Sequence, residues 1–228
     1  MARFDLHVHS WYSADAASKP EDLIRAARAK GLDGIAITDH DTCRAHAYCL
    51  EHGLATADGL PVDGFLVVPG VEVSTADGHL LCIGTTLPDL TGKPAAEVAA
   101  AILERGGIPV PAHPFDRWRH GIIPKILDTL PLTALEVFNA AVSSKAFNAS
   151  AFQYASERGL AGLAGSDAHH ASAVGISHTE LSIGRVSVSD LLSAIPTHAV
   201  PKGSYLSAKE ALKKHFANFL RSPRAPRN

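Results

Sequence analysis

Asp5-Leu6-His7-Val8-His9 closes the first apolar-leaning segment of the chain with two histidines one residue apart. Side chains alternate faces along a β-strand, so positions i and i+2 point the same way. His7 and His9 therefore aim both imidazoles at one point. That geometry suits a metal ion and suits a packed core badly.

Outward from this strand, helix-forming and strand-forming stretches alternate. Ser18-Lys19-Pro20-Glu21 has capping-box spacing, with Pro20 in the first turn, and opens a helix that turns Leu23, Ile24 and Ala27 inward and stops at Gly31. Strands are expected at 34–38, 65–68, 71–74, 79–84, 134–138, 160–164, 180–183 and 198–200, with a short one from Ile108. Helices are expected over 42–52, 94–105 and 123–130, then from a Ser143 or Ser144 cap to Arg158, and after a Ser187 cap with Asp190 three residues on. A last amphipathic helix is expected to open at Ser207/Glu210 and bury Leu212, Phe216, Phe219 and Leu220. This alternation argues for a parallel sheet in an α/β fold. Neither a linker nor a repeat breaks the chain, so residues 1–228 read as one domain.

The polar residues decide which α/β fold. His7/His9, His40, Glu72, His113, Glu136 and Asp167/His169 lie at or just after the C-terminal ends of their strands, where α/β proteins build their sites. An open sheet would spread these ends along a line, whereas a closed barrel brings them to one centre. Each feature alone has an ordinary explanation, such as a surface histidine on an edge strand or a strand-end cap. Six at equivalent strand ends do not. A carboxylate such as Glu72, within Val71-Glu72-Val73, must be paired or metal-bound if buried, and Asp167-Ala168-His169 repeats the opening spacing.

Imidazole with carboxylate and no thiolate suits Zn, Fe or Mn rather than Ca or Mg. Six histidines and three carboxylates exceed what one tetrahedral ion needs, so two or three divalent ions are implied. Three such ions bring six positive charges, and Asp15, Glu72 and Asp167 return three. The remainder matches a hydroxide with a phosphate dianion better than a carbonyl substrate.

The wider composition bounds the setting. The chain is 46% hydrophobic and 19% charged, as in an ordinary globular protein, with 13 histidines as the outlier. No stretch approaches the roughly 18 apolar residues of a membrane span, and no signal-peptide pattern opens the chain. Cys43, Cys49 and Cys82 form no CxxC pair, which points to a reduced, cytoplasmic protein. From Lys202 onward seven Lys/Arg face one Glu, a net of +6 against −8 for the rest. Such a tail either attracts nucleic acid or is a solvated terminal helix.

Taken together, His7-Val8-His9 with Tyr12-Ser13-Ala14-Asp15, Thr38-Asp39-His40-Asp41, Gly70-Val71-Glu72-Val73-Ser74 with His79, Ala112-His113-Pro114, and Gly165-Ser166-Asp167-Ala168-His169 resemble the polymerase-and-histidinol-phosphatase (PHP) family of metal-dependent phosphoesterases. The pieces occur in the family's order and span residues 5 to 170. The resemblance implies a distorted, TIM-like (β/α)7 barrel with a trinuclear centre. By analogy His7, His9, Glu72 and Asp167 bind the first ion, and Glu72 bridges to a second held with His79 and His113. Asp15, His40 and His169 hold the third. Some members carry histidine where Asp15 stands. The implied reaction is hydrolysis of a phosphate ester by hydroxide generated at the metals. Asp39 and Asp41 are candidates for orienting His40 or a water, and Asp39 suits a loop cap equally.

Substrate recognition is expected from the loop after His113. Arg117 is the leading phosphate clamp because a guanidinium binds phosphate in a bidentate way, with Arg119 and His120 beside it. Trp118 suits stacking on a base or packing the loop. His170 is a candidate general acid. The reading favours a small, nucleotide-like phosphomonoester, either a nucleoside bisphosphate or an oligonucleotide end. A histidinol-phosphate-type metabolite is the alternative. A non-catalytic module docking on a polymerase or nucleic acid is opposed by the complete ligand set. A C–N-cleaving amidohydrolase is opposed by the lack of a strand-end lysine. Oligomeric state is not legible.

Overall fold

The structure is a computed structural model and describes residues 1–207. The expected last helix and all but the start of the basic tail lie outside the described residues.

The described chain runs β1 (Ala2–Val8), α1 (Pro20–Ala29), β2 (Gly34–Ile37), α2 (Arg44–Glu51), β3 (Leu66–Thr75), β4 (Gly78–Ile83), α3 (Ala95–Glu104), β5 (Ile108–Pro111), α4 (Pro124–Leu127), β6 (Ala134–Asn139), α5 (Lys145–Arg158), β7 (Ala161–Gly165), β8 (Ser177–Leu181), α6 (Val188–His198) and β9 (Ala199–Gly203). Seven strands form one curled sheet in the order β5-β4-β3-β2-β1-β8-β9, and β6 pairs with β7. This second ladder lies against β1, β8 and β9 on one side and β5 on the other. At its upper end Asp167 donates its N–H to the His7 carbonyl and His9 donates to the Ala168 carbonyl, each at 2.8 Å. The result is a distorted TIM-like barrel.

One apolar cluster draws on eight of the nine strands, including Phe4, Leu6, Ala36, Leu66, Val68, Leu81, Ile83, Val110 and Leu163. Side chains shared by so many strands fill the barrel interior. The alternate residues Ile35, Ile37 and Val67 face outward onto Leu23, Ile24 and Ala27 of α1, as period-2 and period-3.6 patterning require.

The sheet is less uniformly parallel than the alternation predicts. β1, β2 and β3 are parallel neighbours, and so are β6 and β7, but β3/β4, β4/β5, β1/β8 and β8/β9 are antiparallel. At β3/β4 the cause is loop length. Only Ala76 and Asp77 separate β3 from β4, and a two-residue turn can make a hairpin but not a crossover. The two expected strands at 65–68 and 71–74 form one, β3, which pairs with β2 as far as Pro69 and with β4 from Gly70. The expected Ser18 cap is absent. Lys19 is the N-cap of α1 with no side-chain cap, and Ser18 Oγ accepts the Ala171 N–H at 2.9 Å instead. Ser144 and Ser187 do cap α5 and α6.

Candidate metal centre

The end of β1 delivers His7 and His9, and both are buried. A break in register between β1 and β2 at Asp5/Val8 bends the strand there. His7 Nε2, His9 Nε2 and Glu72 Oε2 form a triangle with every edge 3.1 Å. Asp167 Oδ1 lies 3.5 Å from His9 Nε2 and 3.9 Å from His7 Nε2. Four nitrogen and oxygen donors about 2.1 Å from a tetrahedral ion stand about 3.4 Å apart. The cage therefore has the size of one divalent ion.

Hydrogen bonds behind the histidines set which ring nitrogen carries the proton. His7 Nδ1 lies 3.0 Å from Glu136 Oε1, and a carboxylate can only accept. The Ser13 hydroxyl donates to Asp39 Oδ1 at 2.9 Å, so it accepts from His9 Nδ1 at 3.2 Å. His169 Nδ1 donates to the Asp167 carbonyl at 2.9 Å. In all three rings Nδ1 is protonated and the Nε2 lone pair is left for the cluster, the arrangement of a metal-ligating histidine. Asp39 also accepts from Ser10 N and Ser10 Oγ, each at 2.6 Å. It thus acts through Ser13 on His9 rather than on the His40 ring, although Ser13 Oγ also receives the His40 N–H at 2.9 Å. Asp41 accepts the Ser74 N–H at 2.7 Å, tying the end of β2 to β3 and not to His40.

Two further groupings adjoin the first cage. The other oxygen of Glu72, Oε1, lies 2.9 Å from His79 Nδ1 and 3.1 Å from His113 Nε2, so the two carboxylate oxygens face different histidine pairs. Asp15 Oδ2 lies 2.9 Å from His169 Nε2 and 3.8 Å from His40 Nε2. The donor atoms of His9/His40/His169, His7/His9/Glu72 and His40/Glu72/His79 are each close enough to hold an ion. Nδ1 of His40 and of His113 is buried with no hydrogen-bond partner among the described residues. A nitrogen and oxygen donor set with such orphaned nitrogens and no thiolate fits Zn, Mn or Fe.

The electrostatics agree with a site for positive charge. Burial would raise the Glu72 carboxyl, but His7, His40, His79 and His113 hold it well below the usual carboxylate range. Burial would lower His9, but Asp167 and Glu72 carry it up to about 9. Burial drives His40 down to about 4 despite Glu72 nearby, and burial with Arg119 also lowers His113. Against burial, the carboxylates raise His7 and His9, whereas burial lowers His40 and His113, so the cluster favours positive charge that its imidazoles supply only in part. The backbone is strained at the same place, since His113 (φ 30°) and Asp167 (φ 52°) adopt left-handed conformations rare outside glycine.

The structure brings together all nine residues expected as ligands and redistributes the expected phosphate binders. Arg117–Arg119 is a short 3₁₀ turn on which Arg117 and Trp118 face solvent and Arg119 turns inward. Arg119 Nη2 pairs with Asp167 Oδ2, and Nη1 donates to Asn139 Oδ1 at 3.3 Å and the Ala141 carbonyl at 3.2 Å. The inward cation is thus Arg119, because neighbours on so tight a turn cannot share a face. His120 is exposed and stacks on His79 at 5.4 Å. His170 is buried, with Nδ1 2.9 Å from Ser172 Oγ. Three further groups support the cluster. Ser13 sits within the Tyr12–Asp15 motif, four residues after His9. Glu136 was placed at a strand end without a role. Asp5 accepts Ser166 N at 2.9 Å and Gly175 N at 2.8 Å, joining β1 to the Asp167 loop.

A barrel with a buried histidine–carboxylate cluster at its strand ends has the arrangement of a metal-dependent enzyme. The PHP domain model matches residues 5–113 and the PHP-associated model matches residues 145–199. The chain is 30% identical over 146 residues to MJ1587, an uncharacterized protein of Methanocaldococcus jannaschii, covering 60% of this chain and 81% of that protein. It is 35% identical over 103 residues to the 5'-3' exoribonuclease Rnm of Escherichia coli, covering 45% of this chain and 33% of that one. In fold it is similar to a two-domain protein of Bacteroides vulgatus containing a predicted PHP-like metal-dependent phosphoesterase, with TM-score 0.70 and 18% identity over 95% of this chain and 69% of the other. This chain belongs to the PHP family. It is a metal-dependent hydrolase of phosphoester bonds. No helix among the described residues is long and apolar enough to cross a membrane.

Proposed function

We propose that the chain hydrolyses a small nucleotide-like phosphomonoester, a nucleoside bisphosphate or the end of an oligonucleotide, with two or three Zn, Mn or Fe ions. In this reading His7, His9, Glu72 and Asp167 hold one ion, Glu72, His79 and His113 a second, and Asp15, His40 and His169 a third. The observation that carries it is the division of Glu72, whose two oxygens face different histidine pairs. Ions held by these residues would supply hydroxide at neutral pH and neutralise phosphoryl oxygens. Arg119 receives the phosphate. Three of its five N–H groups are engaged by Asp167, Asn139 and Ala141, leaving two for a phosphoryl oxygen. The exoribonuclease relative supports a nucleotide over other phosphate esters.

The test is phosphate release from adenosine 3′,5′-bisphosphate, short oligonucleotides, histidinol phosphate and an aryl phosphate by Mn- or Zn-loaded protein. Nucleotides are expected to be turned over fastest, and His9→Ala to abolish turnover with the fold retained. Activity on histidinol phosphate alone would overturn the substrate class. Inactivity on every ester with every metal would overturn the reaction.

A further inference from the structure

Beside Arg119, away from the histidines, a cleft of about 580 Å³ opens between the 3₁₀ turn and the start of α5, lined by Trp118, Arg119, Ser143, Lys145, Tyr205 and Leu206 among others. We infer that this cleft binds the nucleoside part of the substrate, its base against Trp118 or Tyr205 and a further phosphate on Lys145. The inference rests on phosphate-ester hydrolysis at the adjoining centre and specifies which ester is taken.

Four observations carry it. First, Arg119 belongs to both places, since it lines the cleft and pairs with Asp167 of the histidine cluster. A phosphate at Arg119 therefore leaves its organic substituent at the mouth of the cleft. Second, Trp118 is 74% exposed, whereas the other tryptophan, Trp11, is 6% exposed. A large aromatic ring left in water beside a site is a stacking platform rather than core. Third, both rings pack on an aromatic neighbour. Trp118 meets Phe147 edge-on at 5.6 Å, and Tyr205 lies against Phe138 at 4.9 Å. Fourth, the charge is one-sided. Among the described residues Arg119 and Lys145 line the cleft and no carboxylate does, while Lys145 Nζ sits 4.7 Å above the Tyr205 ring and in no ion pair with a described residue. Aromatic faces beside Lys145 and the free edge of Arg119 suit a planar, anionic ligand. The volume is in the range of small-molecule sites.

The experiment is nucleotide binding by the full chain with its metals chelated, read by tryptophan fluorescence and by equilibrium dialysis. Adenosine 3′,5′-bisphosphate is expected to quench the fluorescence of Trp118, and ribose 5-phosphate and inorganic phosphate are not. Trp118→Phe should remove the quench. Trp118→Ala and Lys145→Ala should each weaken dialysis binding roughly tenfold. Both side chains are exposed, and thermal unfolding checks that each variant is folded. Nucleotide binding no tighter than ribose 5-phosphate, or affinity unchanged in both alanine variants, would overturn the subsite. Aryl phosphate hydrolysis by the metal-loaded wild type is scored separately. If it occurs without nucleotide binding, only the subsite falls, and if nucleotide quenches Trp118 while no ester is cleaved, only the hydrolysis reading falls.

Discussion

Ser13 carries more of the proposed centre than its size suggests. Its hydroxyl donates to Asp39 and accepts from His9 Nδ1 and His40 N, so its single proton is committed. Ser13→Ala removes the acceptor that holds His9 Nδ1 protonated. Losing such a support costs roughly 10- to 100-fold in metal affinity or activity. Metal titration calorimetry checks this, and wild-type affinity would contradict the relay. Glu136→Gln should be as costly. Oε2 of Glu136 accepts His113 N at 2.6 Å and Asn139 Nδ2 at 3.0 Å while Oε1 faces His7, and an amide cannot present acceptors on both edges. Glu136→Asp and the wild type bracket the measurement. His7/His9 and Asp167/His169 were legible in the sequence from their i, i+2 spacing, and His40, Glu72 and His113 from their places at strand ends. Ser13 was not, because one hydroxyl among the chain's serines has no local mark, and its role depends on where the end of β2 approaches the β1 loop.

At the scale of elements, the β6–β7 ladder is the part that turns a half-barrel into a site. It brings Glu136 and Asp167 to the histidines of β1, and close contact is what allows it. A Cβ on Gly165 would meet His7 Cβ at 2.4 Å and Glu136 Oε1 at 2.7 Å. Gly165→Ala should destabilise the fold by about 1–3 kcal/mol, the usual cost of overpacking. It should also lower the bound metal, since His7 and Glu136 must move. Urea unfolding with metal analysis of the same samples reads both, and full metal content at wild-type stability would count against this packing. Strand and helix positions were mostly legible from period and caps. Sheet direction was not. The Asp77-Gly78 turn signal was visible, but its meaning as a β3–β4 hairpin depends on pairing between distant strands.

Across the whole molecule, the buried polar cluster is an electrostatic cost that bound cations would offset. Asp39 shows the strain, since burial pushes its carboxyl up to about 6 against the hydrogen bonds from Ser10 and Ser13. Ligands that bind only the folded state stabilise it by roughly 2.7 kcal/mol at a hundred times Kd. For a chain of this length that is on the order of 5–10 °C in Tm. Chelation should therefore lower the Tm by about this much and re-addition of Zn or Mn should restore it, as differential scanning calorimetry would show. An unchanged Tm would mean that histidine–carboxylate hydrogen bonds alone satisfy the cluster.

The amino-acid sequence by itself determined the donors and the scaffold. His7, His9, His40, Glu72, His113, Asp167 and His169 were marked by their places at strand ends, and the two i, i+2 pairs by a period of two that is a local property of the backbone, whereas His79 and Asp15 came only from the resemblance to the PHP family. Only the tertiary structure decided how they are used. It showed that the His7–His9–Glu72–Asp167 cage has an ion's dimensions, that Glu136 and Ser13 set the ring protons, and that Arg119 rather than Arg117 turns inward. These are distances and directions between segments far apart in the chain, set by packing around the barrel core, and spacing along one strand carries no record of them.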